Sequence, residues 1–280
     1  MEKENITTIK QNKLSNRIIE LDIIRGIAII LMIVDHFFYD CGYTLPLIFN
    51  NYEQEGTWTN SLCNFSQWYW NWPVRQFLHY FFVFVFLCLT GICCSFSRSN
   101  LKRGLKLLIV AYGLTLITFL IGLAIGDIDL TISFGILHCI SLALILSGLL
   151  DKFIKNKWVY LCIGLVMIGV GLFMNLRFST FYSYHEKNFI LLTLMEIVGC
   201  AKAGSDCFPF LLFGGQVFIG IFLGKLLYKN KVSLFKKAKY SNNFLTFTGR
   251  HSLFIYIGHQ VVFILLMSII LLIAGYTLNF

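Results

Sequence analysis

Long apolar stretches dominate this chain and limit the folds that are open to it. Hydrophobic residues make up 57% and charged residues 13% of its 280 positions, and the mean hydropathy is +0.73. Soluble domains carry about 25% charged residues, and a helix of about 20 apolar residues can cross a bilayer. The composition therefore predicts a polytopic membrane protein with almost no sequence left for a separate soluble domain.

Seven segments are long enough to span a membrane as helices. They cover residues 18–39, 75–96, 105–125, 132–150, 158–173, 207–228 and 252–276. The fifth is short, and residues 189–200 are too few to cross, which is typical of an interfacial or re-entrant piece. We expect residues 1–17 to form a polar cytoplasmic tail and residues 18–280 a single all-α transmembrane domain, a bundle of about seven helices.

The basic residues fall mainly on one side of this predicted topology. With a cytoplasmic N-terminus, 18 of the 23 lysines and arginines lie in the tail or in the connections after the second, fourth and sixth spans. Cytoplasmic loops carry such an excess. The net charge of +9 is therefore a topology signal, not a nucleic-acid-binding surface, and it predicts a C-terminus outside the cytoplasm.

The cysteines and histidines do not have the spacing of a metal site. The sequence contains no CxxC or HExxH pattern, and it has no GxGxxG or P-loop either. We therefore predict no metal. Four cysteines in or beside the predicted outer loops could pair with one another, namely Cys41, Cys63, Cys200 and Cys207.

The first predicted span contains ionisable residues that an apolar helix would normally lack. An ionisable residue near the centre of a span costs about 2.5–3.5 kcal/mol and usually marks a functional site. Arg25 and His36 are eleven residues apart, which places them within about 20° of each other around a helix. We interpret His36 as a general base, and Arg25 as an anion clamp or as the ion-pair partner of Asp22.

Two carboxylates could orient His36 by fixing its tautomer. Asp35 is adjacent in sequence and points about 100° away on a helix. Asp40 comes four residues later and is the better partner if the helix continues that far. Further histidines in other spans, His79, His138 and His259, could act in catalysis or could simply form structural hydrogen bonds between helices.

Two other groups of side chains could either place the protein in the membrane or bind a substrate. Four tryptophans lie in the predicted non-helical outer loop of residues 41–74, where they could belong to the headgroup belt or form a platform that stacks on sugars. Basic residues after the second span, Arg98, Lys102 and Arg103, could set the topology or bind the phosphates of a cytosolic donor such as coenzyme A.

Several stretches together resemble a known family. They are LDIIRGIAIILMIVDH, the second span ending in LTG, SFGILHCISLALIL, SDCFPFLLFGGQVFIGIFLGKLLY and GRHSLFIYIGHQ. In this order, from about Glu20 to Gln260, they are similar to the bacterial branch of the heparan-α-glucosaminide N-acetyltransferase catalytic-domain family. The opening also resembles the wider set of transmembrane acyltransferases that O-acylate envelope sugars, whose implicated Arg and His would be Arg25 and His36.

The resemblance implies acyl transfer from cytosolic acetyl-CoA to an acceptor across the membrane. This chain differs from the animal members of the family in the position of its histidines. In the animal lysosomal enzymes the histidine held to be catalytic shortly precedes a Trp-Asn pair in the loop after the first span. Here the pair is Trp70-Asn71 and that loop has no histidine, so the role would pass to His36 or His79. We also expect no counterpart of the luminal domain of the animal enzyme, and we expect a bacterial envelope sugar as the acceptor.

We therefore expect an N- or O-acetyltransferase of the plasma membrane that uses acetyl-CoA and a sugar or glycan acceptor; a homodimer is compatible with the sequence. The catalytic candidates are His36, Asp35, Asp40, Arg25, His79 and His259. The donor-binding candidates are Arg98, Lys102, Arg103, Arg250, Tyr256 and His138. The alternative is a transporter or exporter that uses the same buried charges as a path, but the two halves of the chain show no inverted repeat.

Overall fold

The structure, a computed structural model, describes residues 17–125, 131–185, 189–201, 206–235 and 240–279. Within these ranges the chain is all-helical, and its β-pairing is limited to one isolated bridge. The helices are α1 (Ile19–Tyr39), α2 (Leu45–Ile48), α3 (Trp58–Asn71), α4 (Pro73–Cys94), α5 (Asn100–Ile125), α6 (Ile136–Leu150), α7 (Lys157–His185), α8 (Phe189–Val198), α9 (Gly215–Leu227), α10 (Phe244–Arg250) and α11 (Ser252–Ile273). π-Helical turns precede α2 (Asp40–Thr44) and α9 (Phe210–Gly214).

Five of the described helical segments are long and apolar enough to cross a bilayer. They are Pro73–Cys94, Asn100–Leu123, Lys157–Phe178, Phe210–Leu227 and Ser252–Ile273. Helix α1 has 21 residues but contains four acidic or basic side chains, and α6 is apolar but has only 15 residues. The protein is therefore a helical membrane protein, while seven spans and the side of each terminus stay predictions.

The structure corrects three of the predicted boundaries. The fifth segment is not short, because α7 runs over 29 residues. The fourth begins as a helix only at Ile136, after an extended Gly135. Residues 41–74 are not a non-helical loop: Thr57 accepts a hydrogen bond from the Asn60 amide at 3.2 Å and so caps the start of α3. Most of the predicted N-terminal tail, residues 1–16, lies outside the described residues.

The described chain divides into two compact units, and the first combines both ends of the sequence, residues 1–85 and 235–280. Its central helix is α1, which packs against α3, α10 and α11. At the crossing of α1 and α10, a side chain on Gly26 would collide with the backbone carbonyl of Leu245, and one on Gly249 with that of Asp22. Glycine at both positions lets the two backbones touch.

The first unit contains a small apolar core. It is built from Cys41, Leu45, Phe49, Tyr52, Cys63, Met267 and Leu271. The end of the chain returns to this core, because Phe49 forms the isolated β-bridge with Leu278 and the Asn50 amide donates to the Thr277 carbonyl at 2.9 Å. Segments more than 200 residues apart in sequence therefore hold the unit together.

The second unit, residues 86–234, contains the end of α4 and helices α5 to α9. Helix α5 packs on α6 and α7 packs on α9. A polar cluster ties three elements together at Asp151, which accepts hydrogen bonds from Tyr160 Oη at 2.6 Å, Lys225 Nζ at 2.7 Å and Asn100 Nδ2 at 3.3 Å. All nine cysteines of the chain lie in described residues, and none of them forms a disulfide bond there.

Candidate active site

The carboxylate of Asp35 is the centre of a polar cluster in the first unit. Arg75, from the first turn of α4, donates to it twice, from Nε to Oδ1 at 3.0 Å and from Nη2 to Oδ2 at 2.7 Å. Tyr69, near the end of α3, donates its hydroxyl to Oδ1 at 3.0 Å. Because a forked pair and a hydroxyl hold it, the buried carboxylate has one defined orientation.

His79 completes this cluster one helical turn after Arg75. Its Nδ1 lies 2.9 Å from Asp35 Oδ2, and since a carboxylate accepts, Nδ1 carries the hydrogen. In this neutral tautomer, Nε2 carries a lone pair and can accept a proton. No described residue forms a hydrogen bond with Nε2. The side chain is 33% exposed. A carboxylate that orients a histidine in this way is the arrangement of a general base.

The aromatic residues of α3 support the same cluster. The guanidinium carbon of Arg75 lies 3.5 Å from the centroid of the Trp70 ring, a cation–π contact. Burial, and then the negative charge of Asp35, raise the pKa of Tyr69 to about 12, so the hydroxyl keeps its proton and remains a donor to the carboxylate. Trp70 therefore holds Arg75 in place, and Tyr69 holds the carboxylate of Asp35, which in turn contacts His79.

A second polar cluster lies at the end of α1, about 100° around the helix from Asp35. The rings of His36 and His259 meet edge to face with their centroids 5.0 Å apart. Each donates from Nδ1 to a carbonyl of its own helix, His36 to Met32 at 2.9 Å and His259 to Tyr256 at 2.7 Å. Nε2 of His259 is buried and has no hydrogen-bond partner.

Asp40 does not orient His36 in this structure. Its Oδ1 accepts from Thr44 at 2.8 Å and from Gln260 at 3.4 Å, and its Oδ2 is buried without a partner. The helix continues to Asp40, whose amide donates to the His36 carbonyl, but Thr44 and Gln260 take the carboxylate, while His36 Nδ1 donates to the Met32 carbonyl. Asp35, the carboxylate that spacing disfavoured as a partner of His36, instead orients His79.

Arg25 lies in a third cluster around Asp22. The expected ion pair is present, with Nη1 of Arg25 at 3.5 Å from Asp22 Oδ1. Arg17 approaches the same carboxylate more closely, at 2.8 Å, and Tyr240 donates to it at 3.0 Å. These contacts tie α1 to the segment before α10.

The expected donor-binding residues are divided between the two units. Arg98, Lys102 and Arg103 are exposed around the start of α5 in the second unit. His138, in the same unit, has both ring nitrogens engaged, accepting from the Gly135 amide at Nδ1 and contacting Thr115 Oγ1 from Nε2, each at 3.3 Å. Arg250 and Tyr256 belong to the first unit, where Arg250 donates to Asn242 at 2.5 Å.

Sequence reasoning missed the contributions of Tyr69 and Arg75 to this site. Arg75 is the first residue of the predicted second span and was not among the site candidates. The available signal was its position four residues before His79, which places both side chains on one face of α4. Among the described residues, no group of His, Cys, Asp and Glu side chains is arranged to hold a metal ion.

These features define an integral membrane protein with a carboxylate-oriented histidine near the start of a span. The chain belongs to the heparan-alpha-glucosaminide N-acetyltransferase catalytic family, whose model matches residues 17–261. The matched range includes all three clusters, and the family is one of membrane acetyltransferases that take an acetyl-CoA-type donor. No match was found among curated proteins or among solved structures.

Proposed function

We propose that this protein transfers an acetyl group from cytosolic acetyl-CoA to an amino or hydroxyl group of an extracytoplasmic envelope sugar, in the plasma membrane. We assign His79 as the general base and Asp35 as the residue that positions it. The observation that carries this assignment is the hydrogen bond between His79 Nδ1 and Asp35 Oδ2 at 2.9 Å. His36, which carries no carboxylate hydrogen bond, then has a structural role in its pair with His259.

The chemistry follows from the free lone pair of His79. Nε2 takes the proton from the amine or hydroxyl of the acceptor while that nitrogen or oxygen attacks the thioester carbonyl carbon. The new C–N or C–O bond forms, the C–S bond breaks, and the proton passes from Nε2 to the departing thiolate, so no proton is consumed overall. General acid–base catalysis of this kind contributes about 10²–10⁴-fold to a rate.

The fixed environment of Asp35 supports this role. Arg75 compensates its charge, so the carboxylate can stay ionised in a mostly apolar region. Because Tyr69 and Arg75 occupy fixed positions on Oδ1 and Oδ2, rotation of the carboxylate away from His79 would break three other hydrogen bonds. The histidine ring is therefore held in place before substrates arrive.

We assign the donor phosphates to the exposed basic residues Arg98, Lys102 and Arg103. Coenzyme A is a polyanion, and lysine and arginine side chains bind phosphate oxygens well. On the predicted topology these residues face the cytosol, where the donor is found.

The test is acetyl transfer by the purified protein in detergent. Radiolabelled acetyl-CoA is incubated with a panel of amino sugars and neutral sugars, and labelled product and free coenzyme A are both measured. His79→Gln is compared with His36→Gln, a matched change at the histidine of the other cluster. We expect His79→Gln to lose about 10²–10⁴-fold in kcat, while His36→Gln keeps activity within about tenfold of the parent.

The opposite pattern would transfer the catalytic role to His36. If the parent protein binds acetyl-CoA or a sugar but releases no acetylated product and no free coenzyme A, the enzyme proposal fails and transport becomes the better explanation. Size-exclusion profiles of both variants check that each remains folded.

A further inference from the structure

Arg250 carries a positive charge that no carboxylate of the described chain compensates. Its Nη2 donates to the side-chain oxygen of Asn242 at 2.5 Å, and its Nε is buried without a hydrogen-bond partner. None of the ion pairs between described residues includes it, and the sequence contains no aspartate or glutamate after Asp206. A guanidinium is always charged and has five N–H donors. A partly buried one without an acidic partner therefore points to an anion from outside the chain.

The carboxylate at this end of α1, that of Asp22, is already occupied. Gly249 lies against the Asp22 backbone, which places Arg250 beside the third cluster. Both oxygens of Asp22 accept hydrogen bonds from other side chains, namely those of Arg17, Arg25 and Tyr240. Even with Glu20, the other acidic residue in the first turn of α1, three arginines are matched by only two carboxylates. This end of the first unit therefore has a surplus of positive charge.

The position of Arg250 in the chain places it at the level of the lipid headgroups. It comes two residues before Ser252–Ile273, one of the segments long and apolar enough to cross a bilayer. In α10, which ends at Arg250, the side chains of Phe244 and Phe247 are 72% and 50% exposed, as in helices that lie in the interface. Long basic side chains near the ends of membrane helices reach toward that interface. The anion that meets Arg250 must therefore be available at the membrane–water boundary.

We propose that Arg250 binds a phosphate group at this boundary. Phosphate oxygens are strong acceptors that match the planar fork of a guanidinium, and the surplus charge of the neighbouring cluster adds attraction for an anion. Two kinds of molecule bring a phosphate to this level, namely a phospholipid of the surrounding leaflet and a soluble nucleotide. The inference does not depend on the acetyl-transfer chemistry.

The experiment measures binding to the full chain by native mass spectrometry from detergent. One probe is phosphatidylglycerol, compared with a diacylglycerol of the same chain length that lacks the phosphate. The other is adenosine 3′,5′-bisphosphate, a soluble phosphate ester. We expect the parent protein to retain at least one phosphate probe in preference to diacylglycerol. Arg250→Gln should weaken that binding about tenfold or more, because it removes a hydrogen bond between charged groups.

Arg177→Gln is the matched control. Arg177 is an exposed arginine near the end of another candidate span, Lys157–Phe178, and its loss should leave the binding of both probes unchanged. Arg250→Lys keeps the charge but lacks the planar fork, so it should bind more weakly than the parent and more tightly than Arg250→Gln. Its comparison with the parent keeps the test decisive if Arg250→Gln fails to fold.

The two probes identify the source of the phosphate. A loss limited to phosphatidylglycerol assigns the site to a lipid headgroup, and a loss limited to the bisphosphate assigns it to a soluble nucleotide. Equal retention of phosphatidylglycerol and diacylglycerol, with no binding of the bisphosphate, would overturn the proposal. Binding that is unchanged in both Arg250 variants, or that falls equally in Arg177→Gln, would overturn it as well.

Discussion

Asp35 forms hydrogen bonds with three residues, and each of the three has a different effect. Arg75 compensates the charge, Tyr69 supplies a neutral donor, and His79 receives the orientation that the other two have fixed. A single carboxylate thus joins α1, α3 and α4. This explains why an apolar helix keeps an acidic residue at this position despite the free-energy cost of inserting it.

Replacing Asp35 with Asn separates the positioning of His79 from substrate binding. The amide keeps the shape but can present its NH2 group to Nδ1, which favours the wrong tautomer and removes the lone pair from Nε2. We expect kcat to fall by about 10²–10⁴-fold with the KM for both substrates within about threefold of the parent. Steady-state kinetics with acetyl-CoA measure both parameters.

Asp35→Glu provides the control for this prediction. It restores the negative charge and should recover part of the lost kcat. A fall in kcat that Glu does not relieve, together with a lower melting temperature, would mean that Asp35 serves only to hold the helices together.

The pairing of Asp35 with His79 could not be read from the sequence, although both residues were candidates. Helical periodicity relates residues on the same helix, whereas Asp35 and His79 are 44 positions apart on different helices. Within α1 the periodicity correctly predicted the Arg25–Asp22 pair. It failed for Asp40, because the carboxylate accepts instead from Thr44 and from Gln260, which is 220 positions away on another helix.

At the level of helices, the crossing of α1 and α10 gives a physical reason for two glycines in the family-like motifs. The glycine of IIRG is Gly26 and that of TGRH is Gly249, and each lies against the backbone of the other helix. The residues around this close helix contact include Asp22, which accepts a hydrogen bond from Tyr240 in the segment before α10.

Gly249→Ala should weaken this contact. The added methyl group would meet the Asp22 backbone, and the two helices must separate to make room for it. Overpacking of this kind destabilises by about 1–3 kcal/mol. Gly258→Ala in α11 is the matched control, since nothing lies within 4 Å of its added methyl group. Thermal melting in detergent should show a lower midpoint for the first variant only, and equal midpoints would contradict the close crossing.

The cluster at Asp151 predicts a pH-dependent contribution to the stability of the second unit. Burial raises the pKa of Asp151, but hydrogen bonds from Lys225 and Tyr160 outweigh burial and hold it below its usual value. A lowered pKa means that the stabilisation is complete above the ordinary carboxyl range, about 3.9, and is lost as the pH falls through the lower value of the folded protein.

Asp151→Asn should therefore melt at a lower temperature than the parent at pH 7, and the two should converge as the pH falls below about 3.9. Melting curves of both proteins across this range in one detergent provide the measurement. A difference that persists unchanged at the acidic end would mean that packing around the side chain, and not its charge, is responsible.

The helices themselves were easier to predict than their ends. Long apolar runs determine where a span must lie, and α4, α5, α9 and α11 fall within or close to the predicted segments. The helix at residues 58–71 was missed because its many tryptophans and polar residues do not form an apolar run, and what starts it is a single cap at Thr57. Caps depend on local backbone geometry more than on hydropathy.

Across the whole molecule, the distribution of charge predicts where the donor binds. Arg103→Glu reverses a charge in the exposed basic group of the second unit and should raise the KM for acetyl-CoA severalfold, with little change in kcat. The effect should be larger at low salt, because exposed charges are screened over about 8–10 Å under physiological conditions.

Lys155→Glu is the control for this charge reversal. It makes the same change at another exposed position on the predicted cytoplasmic side, and we expect the KM for acetyl-CoA to stay near that of the parent. An equal rise in both variants would indicate a general loss of attraction for anions and no defined phosphate site.

The first unit is built from both ends of the chain, so it can finish folding only when synthesis is nearly complete. Helix α1 is synthesised first, but α10 and α11, against which it packs, are synthesised last, after the entire second unit. During that interval Asp22 lacks Tyr240 and Gly26 lacks α10, although α1 can already contact α3 and α4. A stop codon near position 240 would therefore remove two of the helices that pack on a helix made some 200 residues earlier.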